Sequence, residues 1–124
     1  VCPVHSLQLV AKDDIDYRYK QADRRVLDEA FALRDTADDV LIVRHGLLTD
    51  TSIANIALWN GCEWHTPAHP LLAGTQRRYL LDTGQIKETD IPVASLGNYR
   101  HIRLFNALIP FGEVELPVGQ IRMY

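Results

Sequence analysis

The fold of this sequence is most constrained by how its hydrophobic periodicity changes along the chain. Short apolar runs of strand length, such as the β-branched run at residues 40–43, alternate with two segments of helical period at residues 22–34 and 75–81. In the first of these segments the apolar residues share one helix face. Several strands with two helices between them predict a mixed α/β or α+β domain.

Turn signals locate the remaining strands. A strand is predicted over residues 6–11, and the His45-Gly46 turn predicts a hairpin after the apolar run. The Asn60-Gly61 pair predicts two strands joined by a tight type I′ turn. Residues 96–108 fit neither period clearly. We expect one mixed sheet with the first helix packed against it, and its strands at residues 7–10, 41–44, 53–59 and 62–65.

The composition excludes several classes of protein. The chain has 124 residues, the length of a single domain, and it is 47% hydrophobic and 23% charged. A formal net charge of −3 lacks the basic footprint of a nucleic-acid-binding domain. No apolar run approaches the roughly 20 residues that span a bilayer, and the first residues lack the pattern of a signal peptide. We therefore expect a cytoplasmic protein that binds neither nucleic acid nor membrane.

The cysteines and histidines do not predict a disulfide or a metal site. Cys2 and Cys62 are far apart, which favours a reduced intracellular protein. His65 and His69 have a metal-like spacing, but Pro67 between them prevents a regular helical presentation. We expect no metal site, because zinc requires a complete ligand set.

Lys20 lies where an extended segment meets the first predicted helix, and Arg24 follows one helical turn later. A lysine in this position is most often a solvated surface residue. The alternative is a Schiff-base lysine, which needs a pKa lowered by burial or by a neighbouring cation such as Arg24. Position alone leaves both interpretations open.

Two further polar stretches interrupt the apolar pattern. Residues 49–52 read Thr-Asp-Thr-Ser, and they either form a β-turn, in which the Asp and Ser bond their own backbone, or face a ligand. Gly74-Thr75-Gln76 opens the second predicted helix, where free N–H groups form a natural anion site. Each signal is weak when taken singly.

The order of these stretches carries more information than any one of them. Lys20 is followed by residues 49–56, by Thr66-Pro67 and by residues 71–77. This order resembles that of the class IV aminotransferases, whose pattern is a lysine, then T-E-x-x-x-x-N-I, then T-P-x-x-x-x-L-P-G-[IV]-T-R. The resemblance runs from about residue 16 to residue 117. It implies a D-amino-acid aminotransferase-like α/β fold, in which the larger, lysine-bearing domain has a mixed sheet and flanking helices.

The resemblance also implies pyridoxal 5′-phosphate as the cofactor. Lys20 matches the lysine that forms the internal aldimine and moves the proton at the substrate α-carbon. Asp50 stands where the family usually has Glu, the carboxylate that pairs with the pyridinium nitrogen and keeps the ring an electron sink. Thr51 follows it within the same cofactor-facing stretch. Arg24 matches an arginine near the ring hydroxyl that is common in the lyase-like branch.

The phosphate of the cofactor has two matching stretches. Gly74, Thr75 and Gln76 match the helix N-terminus whose backbone N–H groups hold the phosphate. The family usually has Thr at the position of Gln76, so an amide is expected to replace a hydroxyl contact. Asn106 and Ala107 match the second phosphate-facing stretch.

Family members also carry an N-terminal domain that contributes a phosphate-binding arginine and much of the substrate pocket. Residues 1–124 contain no counterpart of it and are interpreted as one domain, equivalent to the C-terminal cofactor-binding domain. Either the sequence is a fragment or processed piece of a longer protein, or we expect a homo-oligomer or a second chain that supplies the other half. The expected substrate is a small amino acid, an oxo acid or an amino-chorismate.

Three functional hypotheses remain on the sequence alone. The first is an active aminotransferase or aminodeoxychorismate lyase, the second a cofactor-binding remnant without turnover, and the third an unrelated α/β domain. Transamination and elimination share a carbanion and the same lysine, carboxylate and phosphate cup, so the sequence hardly separates them. Arg24 favours the lyase slightly, by analogy.

Overall fold

The fold is taken from a computed structural model, which describes residues 4–12, 28–29, 31–72 and 74–123. Lys20 and Arg24 lie outside the described residues, as does most of the first predicted helix. At the end of that segment, residues 28–29 and 31–32 are helical.

Within the described part of the chain, the strands are β1 (Leu7–Ala11), β2 (Asp39–Arg44), β3 (Leu47–Leu48), β4 (Asn55–Trp59), β5 (Trp64–Pro67), β6 (Lys87–Thr89), β7 (His101–Phe105), β8 (Val114–Pro117) and β9 (Ile121–Arg122). Helix α1 spans Thr75–Asp82, and 3-10 helices span Val93–Asn98 and Val118–Gln120. Among these described helices, none combines the length and the hydropathy that a membrane crossing requires.

The strands form two sheets. The first has the order β3-β2-β1-β9, and the second has the order β6-β5-β4-β7-β8. The prediction of a single sheet is therefore wrong, because β1 and β2 belong to the first sheet and β4 and β5 to the second. The chain changes sheets at a turn that is closed by a hydrogen bond of 3.0 Å from the N–H of Thr51 to the carbonyl of Ala54. A hydrophobic pattern identifies the buried side of a strand but not its neighbour.

The main core lies between the two sheets. Leu9, Leu41 and Val43 of the first sheet share one buried cluster with Ile56 and Ile102 of the second. All four central residues of the β-branched run in β2 are buried, as its composition predicts. The mixed α/β class predicted from the sequence is confirmed.

Helix α1 covers the other face of the second sheet. Its Leu80, together with Ile86, packs against Ala57 of β4 and Phe105 of β7. The helix was predicted over residues 75–81, and the observed bounds differ by one residue. It ends before Gly84, whose φ of 77° suits a residue without a Cβ.

The hairpin of β4 and β5 was predicted correctly, but its turn was not. Trp59 pairs with Trp64, which leaves four residues in the connection. A type I′ turn needs a positive φ at both central residues, and of the Asn60-Gly61 pair only Gly61 has one. The side-chain oxygen of Asn60 instead accepts hydrogen bonds of 2.8 and 2.9 Å from the N–H groups of Cys62 and Glu63. The asparagine thus bonds to the backbone through its side chain, which competes with the tight turn.

Candidate functional site

Asp50 lies two residues after β3 and is completely buried. One carboxyl oxygen, Oδ1, accepts a hydrogen bond of 3.3 Å from the N–H of Leu71. The other, Oδ2, accepts one of 2.8 Å from the N–H of Leu72 and one of 3.4 Å from the side-chain amide of Asn55. The loop before α1 therefore wraps around this carboxyl.

Burial raises the pKa of Asp50 from its ordinary value of 3.8 to about 7. The N–H groups of Leu72 and Leu71, the Thr49 hydroxyl and the charge of Arg77 oppose this rise. The carboxyl is thus able to hold or release a proton near neutral pH. A cation placed beside it would favour the charged carboxylate.

Asn55 connects Asp50 with the start of α1. Its amide nitrogen also donates a hydrogen bond of 2.9 Å to the carbonyl of Leu72. Its side-chain oxygen lies so close to Gly74 that a Cβ there would be 2.1 Å away. Asn55 belongs to the matched motif, but the sequence analysis gave it no role. Its match to the asparagine in the N-I pair of the family pattern was the sequence signal that could have identified it.

Gly74 is the N-cap of α1, and among the described residues no side chain caps this helix end. The first N–H groups of a helix have no acceptor within it, and the first turn contains no acidic residue. A cleft of about 460 Å³ opens beside it, lined by Thr75, Gln76, Tyr79, Ala107 and Pro110. The helix N-terminus and the predicted second stretch thus meet at one cleft.

The side chain of Gln76 forms hydrogen bonds with the loop that follows β7. Its amide nitrogen donates to the carbonyls of Asn106 and Ile109, the latter at 2.8 Å. Its amide oxygen accepts a hydrogen bond of 2.8 Å from the N–H of Phe111. Both amide hydrogens are therefore engaged by backbone carbonyls. The expectation that this amide contacts the phosphate in place of a hydroxyl is wrong for this arrangement. The backbone N–H of Gln76 lies in the first turn of α1, and its contact with phosphate stays a prediction.

Asn106 shapes the same loop. Its side-chain amide donates a hydrogen bond of 3.0 Å to the carbonyl of Ile53. Its side-chain oxygen accepts hydrogen bonds of 2.8 and 2.9 Å from the N–H groups of Leu108 and Ile109. These contacts hold the turn that brings Ala107 to the cleft.

Thr51 and Ser52 shape the turn between the two sheets. The Thr51 hydroxyl donates to the carbonyl of Ala54 at 3.2 Å and accepts from its N–H at 3.0 Å. The Ser52 hydroxyl donates a hydrogen bond of 2.7 Å to Asp39. Burial raises the pKa of Asp39, and this hydrogen bond opposes part of the rise. The local backbone contacts predicted for Asp50 and Ser52 are made by Thr51 instead, because Asp50 accepts from Leu71 and Leu72 and the Ser52 hydroxyl bonds Asp39.

The structure brings four of the nine predicted site residues into one network. Asp50 connects through Asn55 to Gly74, and the following Gln76 connects to Asn106. Lys20 and Arg24 are outside the described residues. In the described ranges, no three His, Cys, Asp or Glu side chains come together as a metal site. His65 instead makes hydrogen bonds of 2.8 Å with Tyr99 and Glu63.

A mixed α/β fold with a buried carboxyl beside a bare helix N-terminus is what the sequence resemblance implies. A family model described as amino-transferase class IV matches residues 5–116. The chain therefore belongs to the class IV aminotransferase family, and the resemblance is confirmed.

Two curated relatives share much of the chain. A protein of Haemophilus influenzae, named as uncharacterised, is 40% identical over 103 residues, which cover 83% of this chain and 55% of that protein. A Schizosaccharomyces pombe protein, provisionally named an aminodeoxychorismate lyase, is 36% identical over 98 residues, covering 71% of this chain and 42% of its own length. The chain thus spans about half the length of these relatives.

Solved structures share the fold. A crystal structure from Haemophilus somnus, provisionally named a 4-amino-4-deoxychorismate lyase, has a TM-score of 0.79 and 34% identity. The match covers 88% of this chain and 56% of that one. An aminotransferase from Brucella abortus, bound to the cofactor PLP, has a TM-score of 0.72 at 15% identity, covering 98% and 48% of the two chains. The family and this fold agree with the predicted cofactor, pyridoxal 5′-phosphate.

Proposed function

We propose that this chain is the lysine-bearing, cofactor-binding domain of a pyridoxal-phosphate enzyme, either an aminotransferase or an aminodeoxychorismate lyase. The observation that carries this proposal is the link from the buried carboxyl of Asp50, through Asn55 and Gly74, to the N-terminus of α1. It joins an acidic group to an anion-binding helix end within one site. The motif order that matches the family supplies the same two groups.

The described residues supply a chemical group suited to each end of the cofactor. A phosphate suits the bare start of α1, where a side chain at Gly74 would clash with Asn55. The cleft beside Thr75 and Ala107 has room for such a group. A ring nitrogen suits Asp50, because a buried carboxyl is stabilised in its charged form by a neighbouring cation.

When bound, the cofactor supplies a ring that withdraws electrons from the substrate α-carbon. Asp50 holds the proton at the ring nitrogen. Its side chain is one methylene shorter than the glutamate usual in the family, and the N–H groups of Leu71 and Leu72 orient it. The N–H groups at the start of α1 bind the phosphate, and the helix dipole adds to this attraction.

Lys20 would hold the cofactor through its Nζ and would move the proton at the substrate α-carbon. Arg24, the arginine of the lyase-like branch, would be the cation near the ring hydroxyl. Both roles rest on the motif match, because the two residues are outside the described ranges.

A partner surface accompanies this site. Ile53, Tyr79 and Leu108 are 44%, 61% and 84% exposed. Ile53 accepts a hydrogen bond from Asn106, and Tyr79 lines the cleft. Exposed apolar side chains grouped in this way mark an interface. We propose that a further domain or a second copy of the chain covers them, and that the active form is an oligomer.

The proposed substrate is a small amino acid or an amino-chorismate. The provisional lyase names of the Schizosaccharomyces pombe relative and of the Haemophilus somnus structure favour elimination over transamination. Cys62 is a free, exposed thiol, which suits the reducing cytoplasm that we propose as the location.

Turnover measurements test the proposal. The purified chain is titrated with pyridoxal phosphate, and cofactor binding is followed by visible absorbance. Release of pyruvate from aminodeoxychorismate supports the lyase, whereas amino transfer to pyruvate or 2-oxoglutarate supports the aminotransferase. Binding with neither turnover indicates a non-catalytic remnant of the fold. A chain that binds no cofactor contradicts all of these.

A further inference from the structure

Asn55 lies between the two ends of the candidate site. Its amide nitrogen donates both to the carboxyl of Asp50, at 3.4 Å, and to the carbonyl of Leu72, at 2.9 Å. Leu72 in turn donates its N–H to Asp50 at 2.8 Å. One buried side chain therefore fixes both the carboxyl and the loop that leads to α1.

Gly74 makes this arrangement possible. A Cβ at residue 74 would stand 2.1 Å from the side-chain oxygen of Asn55 and 3.3 Å from its Cγ. No side chain fits there unless Asn55 moves. The backbone at the start of α1 thus lies directly beside the Asn55 side chain.

We infer that Asn55 is a positioning residue that sets the spacing between the Asp50 carboxyl and the phosphate-binding start of α1. The inference rests on the proposed function. A rigid ligand that binds both groups places its second end near the second group once its first end is bound. The effective concentration of that second end depends on the spacing between the two groups. A ligand that engages one group alone does not depend on it. Asn55 therefore matters for the intact cofactor far more than for either of its parts.

The first experiment compares Asn55→Ala with the wild-type chain in the binding of three ligands. These are pyridoxal phosphate, pyridoxal and inorganic phosphate, followed by visible absorbance and, for phosphate, by NMR titration. We expect the affinity for pyridoxal phosphate to fall by about tenfold, the equivalent of one or two lost hydrogen bonds. The affinities for pyridoxal and for phosphate should each change by less than about twofold. An equal loss for all three ligands would indicate a merely structural role and overturn the inference.

Two variants serve as controls for folding. Asn98 is an exposed asparagine, so Asn98→Ala should leave all three affinities unchanged. Asn55→Ser keeps a small polar group in the buried position and should fold if Asn55→Ala does not. It should show the same selective loss of affinity for the whole cofactor, because a serine is too short to reach both Asp50 and Leu72. An unchanged affinity in Asn55→Ser also overturns the inference.

A double-mutant cycle tests the contact with Gly74. Gly74→Ala should lower the affinity for pyridoxal phosphate in the wild-type background, because its Cβ displaces Asn55. In the Asn55→Ala background the same change should have little effect, because the space is empty. Gly97→Ala is the matched control, since nothing lies within 4 Å of its Cβ position. Equal effects of Gly74→Ala in both backgrounds contradict the proposed spacing role.

The two proposals fail differently. A wild-type chain that binds no pyridoxal phosphate overturns the proposed function and the inference with it. If the wild-type chain and Asn55→Ala bind the cofactor with equal affinity, the inference is overturned but the proposed function is not.

Discussion

The N–H of Leu72 donates a hydrogen bond of 2.8 Å to the carboxyl of Asp50, although the two residues are 22 positions apart. This contact brings the end of the first sheet to the loop that begins α1. It explains how an acidic residue after β3 and a glycine before a helix form one site.

The first prediction concerns the charge of Asp50. Asp50→Asn should still bind pyridoxal phosphate but lower turnover by about 100-fold to 1000-fold, the usual cost of removing one preorganised electrostatic partner. Asp50→Glu should retain activity or lose only part of it, since it keeps the carboxylate. Affinity and turnover are measured on the same preparations. Equal turnover in Asp50→Asn and the wild type would mean that the carboxyl is not the partner of the ring nitrogen.

The second prediction concerns stability and pH in the absence of cofactor. Burial raises the pKa of Asp50 from 3.8 to about 7, so the folded chain keeps a proton that the unfolded chain loses within this range. The stabilisation from this proton is complete below the lower value and is lost as the pH rises to the upper one. As the pH rises through this range, the free energy of unfolding of the wild type should fall relative to that of Asp50→Asn by on the order of 4 kcal/mol.

Urea unfolding at a series of pH values measures this difference. A constant offset between Asp50→Asn and the wild type, without a trend in pH, would mean that the buried carboxyl does not hold a proton in this range.

The third prediction concerns Gln76, which ties α1 to the loop after β7 through three hydrogen bonds. Gln76→Ala should lower the free energy of unfolding by about 1–3 kcal/mol. It should also weaken cofactor binding, because Ala107 is no longer held at the cleft. Gln85→Ala is the control, since this exposed side chain contacts only the Thr83 hydroxyl in the described hydrogen bonds. Indistinguishable unfolding of the two variants would refute the role of Gln76.

The fourth prediction concerns the exposed apolar side chains beside the cleft. The chain by itself should bind pyridoxal phosphate weakly and should self-associate or pair with another chain. Leu108→Glu should reduce self-association, whereas Met123→Glu, at another exposed apolar residue, should not. Sedimentation velocity over a range of concentrations measures this. A tight monomer that binds the cofactor at micromolar affinity or better would contradict the prediction.

The elements with local signals were predicted from the sequence. Helix α1 was predicted by its period and by Gly84 beyond it, and the hairpin of β2 and β3 by the His45-Gly46 turn. The division into two sheets was not, because the neighbour of a strand depends on contacts far along the chain. The turn at Asn60 was missed because a side-chain hydrogen bond replaced the backbone conformation that the pair usually favours.

The candidate site shows the same division. The positions of Asp50, Gly74 and Ala107 follow from the motif order, which is local to each stretch. The use of the Gln76 amide depends on a loop 30 residues away, and so it was not predictable from its motif. Asn55 was visible as a motif residue, but its role depends on a contact with Gly74 that only the fold reveals.

The central claim is that Lys20 carries the cofactor, and reductive trapping tests it most directly. The chain contains three lysines, Lys12, Lys20 and Lys87. After incubation with pyridoxal phosphate and reduction with borohydride, peptide mass spectrometry should find the pyridoxyl group on Lys20. The label should vanish in Lys20→Ala and persist in Lys87→Ala, which removes an exposed lysine paired with Glu63. A label shared equally among the lysines, or one retained in full by Lys20→Ala, would contradict the account.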